Sequence, residues 1–338
     1  MKKSSLLILL LLVLGSVTLQ AQKIATADLK LLRAKEDTLK ELSRHIYTDT
    51  LASGRLRSDS QFVKTLLRAL QVRHSFQYPF DDVLGVSKLY APDSTFRIIT
   101  WQVTIPTVQA RKRGAIQLRT TDGSLKIIPL RDVTEFTEFA EDSVRDRTNW
   151  VGAVYYNIIK TTWNNKPYYT LFGIDDRGFS TKRKWIEVMH FDESGQPRFG
   201  GDFFDFSKDT VTRRQHERFQ LAYKREANVS SNWDEDQKLI LFDHLVSESG
   251  QPDLPYTMVP DGDSEGFKWE KGKWVHIDKV FHYKIDMTGA DPLLGRPPVG
   301  DPILDANGNV NEQKLDEKNE KNTGGGKTPQ GKKKKDNE

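Results

Sequence analysis

Leu29, Leu32, Leu39, Leu42 and Ile46 recur at helical spacing among lysines and glutamates, so the chain predicts an early helix with one apolar face. A second helix follows, with Phe62, Leu66, Ala69 and Leu70 as its buried stripe. Ser58, with Gln61 three residues on, reads as the N-cap of that helix in a capping box. From about Tyr78 the period changes from helical to alternating. Short runs rich in Val, Ile, Tyr, Phe and Trp are punctuated by Asp, Gly and Asn, which predicts strands joined by hairpin turns. The clearest strands are expected at 96–103, 115–119, 125–130, 151–161, 168–174, 184–191, 218–223, 238–245 and 273–277.

Long helical patterns are absent from this region, so it reads as an antiparallel β-meander rather than βαβ units. An Asp-rich turn followed by an apolar strand recurs, as in "TDGSLKIIPL" and "WDEDQKLILF", but at irregular spacing. Irregular spacing excludes a strict solenoid repeat. The expected fold class is mainly β with N-terminal helices, the sheet curling into a barrel or a sandwich; a small propeller-like array is the alternative. The apolar pattern is lost after Met287, where Pro and Gly and then Lys dominate. The expected layout is a signal peptide at 1–21, a helical segment at 22–75, an aromatic-rich β domain at 76–286 and a largely disordered tail at 287–338.

The leader is read from Lys2 and Lys3, the apolar run from Leu6 to Leu14, and cleavage before Gln22. That run is too short to span a bilayer, so the mature chain is expected to be exported to the periplasm or cell surface and not to be transmembrane. There is no cysteine, which excludes disulfides, thiol catalysis and zinc–thiolate sites. The net charge is +4, of which Lys2 and Lys3 of the leader account for two. So weak a bias offers no basic surface for nucleic acid. No phosphate loop or dinucleotide fingerprint is present, and no cofactor is expected.

Candidate chemistry is sparse. In "VPDGDSEGFKWEKGKW", Asp261, Asp263, Glu265 and Gly266 fill the opening positions of a calcium loop. Gly272 stands where the closing carboxylate belongs, so the phrase reads as two tight turns around a short aromatic strand. Residues 305–316 match a calcium loop partially, with Val310 in place of the obligatory glycine. His276 and Asp278 share one expected strand face, where a carboxylate can orient a general base. Glu187 lies on a strand face with Trp185, Met189 and Phe191, and Asp243 is its candidate partner in a glycosidase-like pair. All seven tryptophans fall between Trp101 and Trp274. Most are expected in the core, with Trp269 and Trp274 as a candidate stacking pair for a ligand ring.

The phrases "YAPDSTFRIITWQV", "WVGAVYYNII", "YYTLFGIDDRG", "KRKWIEVMHFD", "KLILFDHLV" and "VPDGDSEGFKWEKGKWVHID" together resemble a group of uncharacterised secreted proteins of Bacteroidetes-type bacteria. The resemblance covers residues 76–278 and implies a bacterial envelope setting. It implies no activity and no catalytic residue. It also implies O-glycosylation at Asp-Ser/Thr triplets, here at Thr38, Thr50, Ser94, Ser143 and Thr210. The expected function is that of an exported, non-enzymatic binding or structural module whose aromatic β domain meets an envelope protein or polysaccharide. One alternative is a polysaccharide hydrolase using Glu187 and Asp243. Another is an accessory subunit of an envelope complex, which an exposed apolar patch on the helices would reveal.

Overall fold

A computed structural model describes residues 24–105, 109–176, 178–210 and 214–280. The expected leader, the tail from 287 and the partial loop at 305–316 lie outside the described residues. Two helices come first, α1 (Thr26–Thr48) and α2 (Ala52–Leu70). The capping box at Ser58 is a correction. Helix α2 starts six residues upstream of it, where Asp49 Oδ1 accepts the Leu51 N–H at 3.0 Å, and Ser58 is mid-helix. The side chain that decides this is Asp59, fully buried against Trp101 and Arg113, which needs helix on both sides of it.

The strands form three sheets among the described residues. The first has the order β1 (Ser87–Tyr90), β2 (Phe96–Ile105), β3 (Gln109–Leu118), β4 (Lys126–Leu130), all antiparallel. The second runs β5 (Arg145–Asp146), β9 (Pro197–Phe199), β8 (Thr181–Phe191), β7 (Lys166–Asp175), β6 (Val154–Trp163), with β11 (Phe219–Lys224) also pairing β8. The third runs β10 (Phe204–Asp205), β15 (Lys273–Ile277), β14 (Met258–Glu270), β13 (Leu239–Ser247), β12 (Ser231–Asp234). Only the short β10–β15 pairing among these ladders is parallel. The protein is therefore mainly β, with N-terminal helices and open, sandwich-like antiparallel sheets rather than a closed barrel.

Alternation along the strands stacks these elements into layers. On β2, Ile99, Trp101 and Val103 share a core with Leu32, Leu39, Phe62 and Leu66 of the helices. Phe96 and Ile98, pointing the other way, pack with Tyr155, Leu171, Trp185 and Met189 of the second sheet. On β8, Ile186 and Val188 then face Ile240, Phe242, Phe267 and Trp274 of the third. The order is helices, first sheet, second sheet, third sheet, with a separate apolar core in each gap.

Polar side chains pin the layers to one another. Arg97 of β2 is fully buried; its guanidinium donates to Tyr78 O at 2.6 Å, Ser75 O at 3.0 Å and Gln117 Oε1 at 2.8 Å. The Phe80 ring lies 5.3 Å beneath it. Lys112 of β3 reaches Asp175 of β7 at 2.5 Å, both side chains buried. Asp93, in the β1–β2 turn, accepts from Tyr169 Oη at 2.7 Å and pairs with Lys160 at 2.9 Å.

Burial alone would raise the Asp93 pKa, but hydrogen bonds from Thr95, Lys160 and Tyr169 outweigh it and hold the carboxyl at about 2. A folded pKa below the unfolded value of about 3.9 contributes stability that is complete above pH ~4 and lost as pH falls through ~2. Acid titration of unfolding should therefore show a loss of stability between about pH 4 and pH 2. Asp93→Asn should flatten that part of the curve, as measured by denaturant midpoints at each pH.

Candidate functional site

The calcium-like phrase is the first correction. Residues 259–266 are not a turn but run inside the thirteen-residue strand β14. Asp243 pairs with Ser264 and Leu245 with Pro260, so Asp261, Gly262 and Asp263 together face the single residue His244. This is a bulge, and Gly262 at φ +96° supplies the conformation that other residues adopt rarely. Turn chemistry and bulge chemistry draw on the same residues, which is why the sequence pattern pointed to a turn. The Lys271-Gly272 turn expected beyond it does form, with Gly272 at φ +84° against the Trp163 ring.

The bulge folds Asp261 back onto His244, Nδ1 to Oδ2 at 2.9 Å. The same imidazole presents Nε2 to Glu265 Oε1 at 3.7 Å. Glu265 Oε2 meets His276 Nε2 at 2.7 Å, and His276 Nδ1 meets Asp209 Oδ1 at 2.8 Å. The structure thus aligns Asp261, His244, Glu265, His276 and Asp209, exposed at the His244 end and buried at the His276 end. Asp263 turns away to Lys279 at 2.7 Å. Of the three carboxylates read as metal candidates, Asp261 and Glu265 therefore go to histidines and Asp263 to a lysine. Among the described residues no three His, Asp or Glu side chains converge as a cation site. Both ring nitrogens of His276 face Glu265 and Asp209, while Asp278 lies just past the end of β15. Sequence reading missed Asp209, which sits 67 positions from His276 and carries no local signal.

Glu187 is buried in the core between the first and second sheets. It accepts Arg218 Nε at 3.0 Å and the Tyr155 hydroxyl, while Arg218 also donates to Ala140 O and Phe199 O. Asp243 belongs to the third sheet, where its Oδ2 accepts the Ser230 N–H at 2.7 Å. Its charge acts on Lys184, whose pKa is lowered by burial and partly restored by Asp243. Lys184 and Glu187 project from opposite faces of β8. The expected carboxylate pair is therefore divided between two environments.

Trp274 is fully buried, its indole N–H donating to Thr170 Oγ1 at 3.0 Å. As a stacking residue it is corrected to core. Trp269 is half-buried, edge-on to Trp274 with ring centroids 5.0 Å apart. Of the glycosylation candidates, Thr38, Thr50, Ser94 and Thr210 are exposed and Ser143 is half-buried.

An open apolar surface lies elsewhere. Helix contacts with the first sheet are concentrated on β2, with Asp59 reaching Arg113 of β3, and the β3–β4 flank is left with an apolar groove of about 380 Å³. Val63 and Leu67 of α2 form one wall, Ile127 and Pro129 of β4 the other, and Trp101 and Leu70 the floor. Val63 is 39% and Leu67 42% exposed. Their signal was legible: α2 is apolar at 62, 63, 66, 67, 69 and 70, an arc broader than one core-facing stripe. Pro129 also removes a donor from the outer edge of β4, blunting it against strand addition. No family model, curated protein or solved structure matches this chain.

Removing one member of a buried ion pair leaves the other charge uncompensated, at a cost of about 3–5 kcal/mol. Glu187→Gln should lower unfolding free energy by that order in a urea titration. Replacing both partners, as Glu187→Leu with Arg218→Met, should restore a large part of it.

Proposed function

We propose that the protein is an exported, non-enzymatic module of the bacterial envelope that docks a segment of a partner protein in the α2/β4 groove. The observation that carries this reading is the pair Val63 and Leu67, exposed one helical turn apart over an open apolar cavity. Val63 and Leu67 lie outside the helix–sheet core, and the part of each left facing water gains only when something covers it. The expected leader and the resemblance to secreted proteins support the envelope setting. The tryptophans point the same way, because Trp101, Trp150, Trp185 and Trp274 are buried and leave the β domain fewer rings for outside contact. Against the hydrolase alternative stands the separation of Glu187, ion-paired in one core, from Asp243 on another sheet.

In envelope fractions of the native host, the processed chain, beginning at Gln22, should migrate in an assembly larger than itself. Leu67→Glu should reduce it to the chain alone with an unchanged unfolding midpoint, since the side chain is already exposed. Migration of the wild-type chain alone, or recovery of an unprocessed cytoplasmic chain, would overturn the proposal.

A further inference from the structure

The groove continues past Trp101. It shares Arg113 and Leu130 with a second cavity of about 340 Å³ on the same flank of the first sheet, and there the lining changes character. Arg111, Arg113 and Arg131 line it, against Asp132 and Glu135. Asp132 is already occupied, accepting the Thr134 N–H on Oδ1 at 2.9 Å and the Lys112 N–H on Oδ2 at 2.8 Å. Arg113 is held by Asp59 at 2.6 Å but stays one-third exposed, at 34%. Arg111 and Arg131 are exposed, and neither has a carboxylate partner among the described residues. Lys64 and Arg68 of α2, outside the groove's lining, are likewise exposed without an ion pair among the described residues. The only acidic residue of α2 is the buried Asp59. The trough is apolar in the groove over Trp101 and rich in arginine in the cavity beyond it.

From this charge pattern we infer that the trough takes an acidic amphipathic peptide segment of a partner protein. Two aliphatic side chains of the segment, one helical turn apart, sit against Val63, Leu67 and Pro129. Carboxylates that follow them meet Arg111 and Arg131, whose planar guanidiniums suit bidentate pairing. The inference rests on the protein-docking reading above and adds the chemistry of the partner. A peptide is favoured over an acyl chain because the groove is open along Val63 and Leu67. Small-molecule and lipid sites enclose most of their ligand.

The test uses the mature chain and three fluorescent helical peptides of about 18 residues. One carries leucines one turn apart beside glutamates, one has lysines in place of the glutamates, and one has serines in place of the leucines. Anisotropy titration should find the leucine–glutamate peptide bound at least about tenfold more tightly than either of the others, and weakened by salt. Leu67→Glu should abolish that binding. The double variant Arg111→Glu, Arg131→Glu should remove the preference for glutamate over lysine. Both variants should keep the wild-type unfolding midpoint. Equal binding of the acidic and basic peptides would overturn the inference. So would binding of anionic phospholipid vesicles that is lost in Leu67→Glu while no peptide binds. If no peptide binds but Leu67→Glu still dissolves the native assembly, the acidic partner is wrong and the docking site stands. If that assembly also survives, both fail.

Discussion

The middle of β7 and β8 in the second sheet is covered on both faces, and the rest of the structure is arranged around that constraint. On β8, Trp185 and Met189 enter one core while Ile186 and Val188 enter the next. A polar side chain on such a strand has no water to turn to, so it must find its partner inside. Glu187 takes Arg218, Thr170 takes the Trp274 indole, and Asp175 takes Lys112 from the neighbouring sheet. Buried ion pairs contribute little net stability, because desolvation offsets most of the Coulomb gain. What they do is discriminate between arrangements. Lys112 on β3 can reach Asp175 on β7 only if the first two sheets are stacked in one register, and Arg218 reaches Ala140 O only if the connector after β4 is threaded beneath it.

The strand pattern was legible because the strands carry their own turn signals, and every expected run overlaps an observed strand. The layering was not. Two-sided burial of β8 depends on partners from β2 and β13, far apart in sequence, and a local window of "KWIEVMHF" looks the same whether one face or both are covered. The failures at β14 and α2 have one cause. Asp261-Gly262-Asp263 has sound turn chemistry and Ser58 with Gln61 has sound capping chemistry. Each was overridden by a distant contact: the pairing of β14 with β13 across a bulge, and the burial of Asp59 under Trp101 and Arg113.

The chemistry-bearing residues divide in a similar way. Asp261 and Glu265 were singled out by calcium-loop spacing and His276 by strand alternation, and the fold does bring them into one line, through His244. Neighbouring strands of one sheet made that possible, since β14 pairs with both β13 and β15. Glu187 and Asp243 belong to different sheets, and no spacing rule could have revealed that. Exposure of Val63 and Leu67 was readable as a surplus of apolar positions on α2, but the cavity beneath them was not, because β4 supplies its far wall.

That cavity follows from how the first sheet is covered. The layer over it holds two helices and the segment from Val72 to Val86, whose Tyr78, Phe80 and Val83 share the core with β2. Arg97 ties this segment down by its carbonyls at Ser75 and Tyr78, so the space over β1 and β2 is filled by three pieces of chain. Leu125 and Ile127, beside and on β4, reach only the margin of that core and stay partly buried. The arginine that secures the helix layer thus also biases it toward one side of the sheet. A layer centred over all four strands would bury Val63 and Leu67 against β4 and leave no groove. The groove lies on the flank that this layer leaves open, where Arg111 of β3 stays exposed and Arg113 is held by Asp59 of α2.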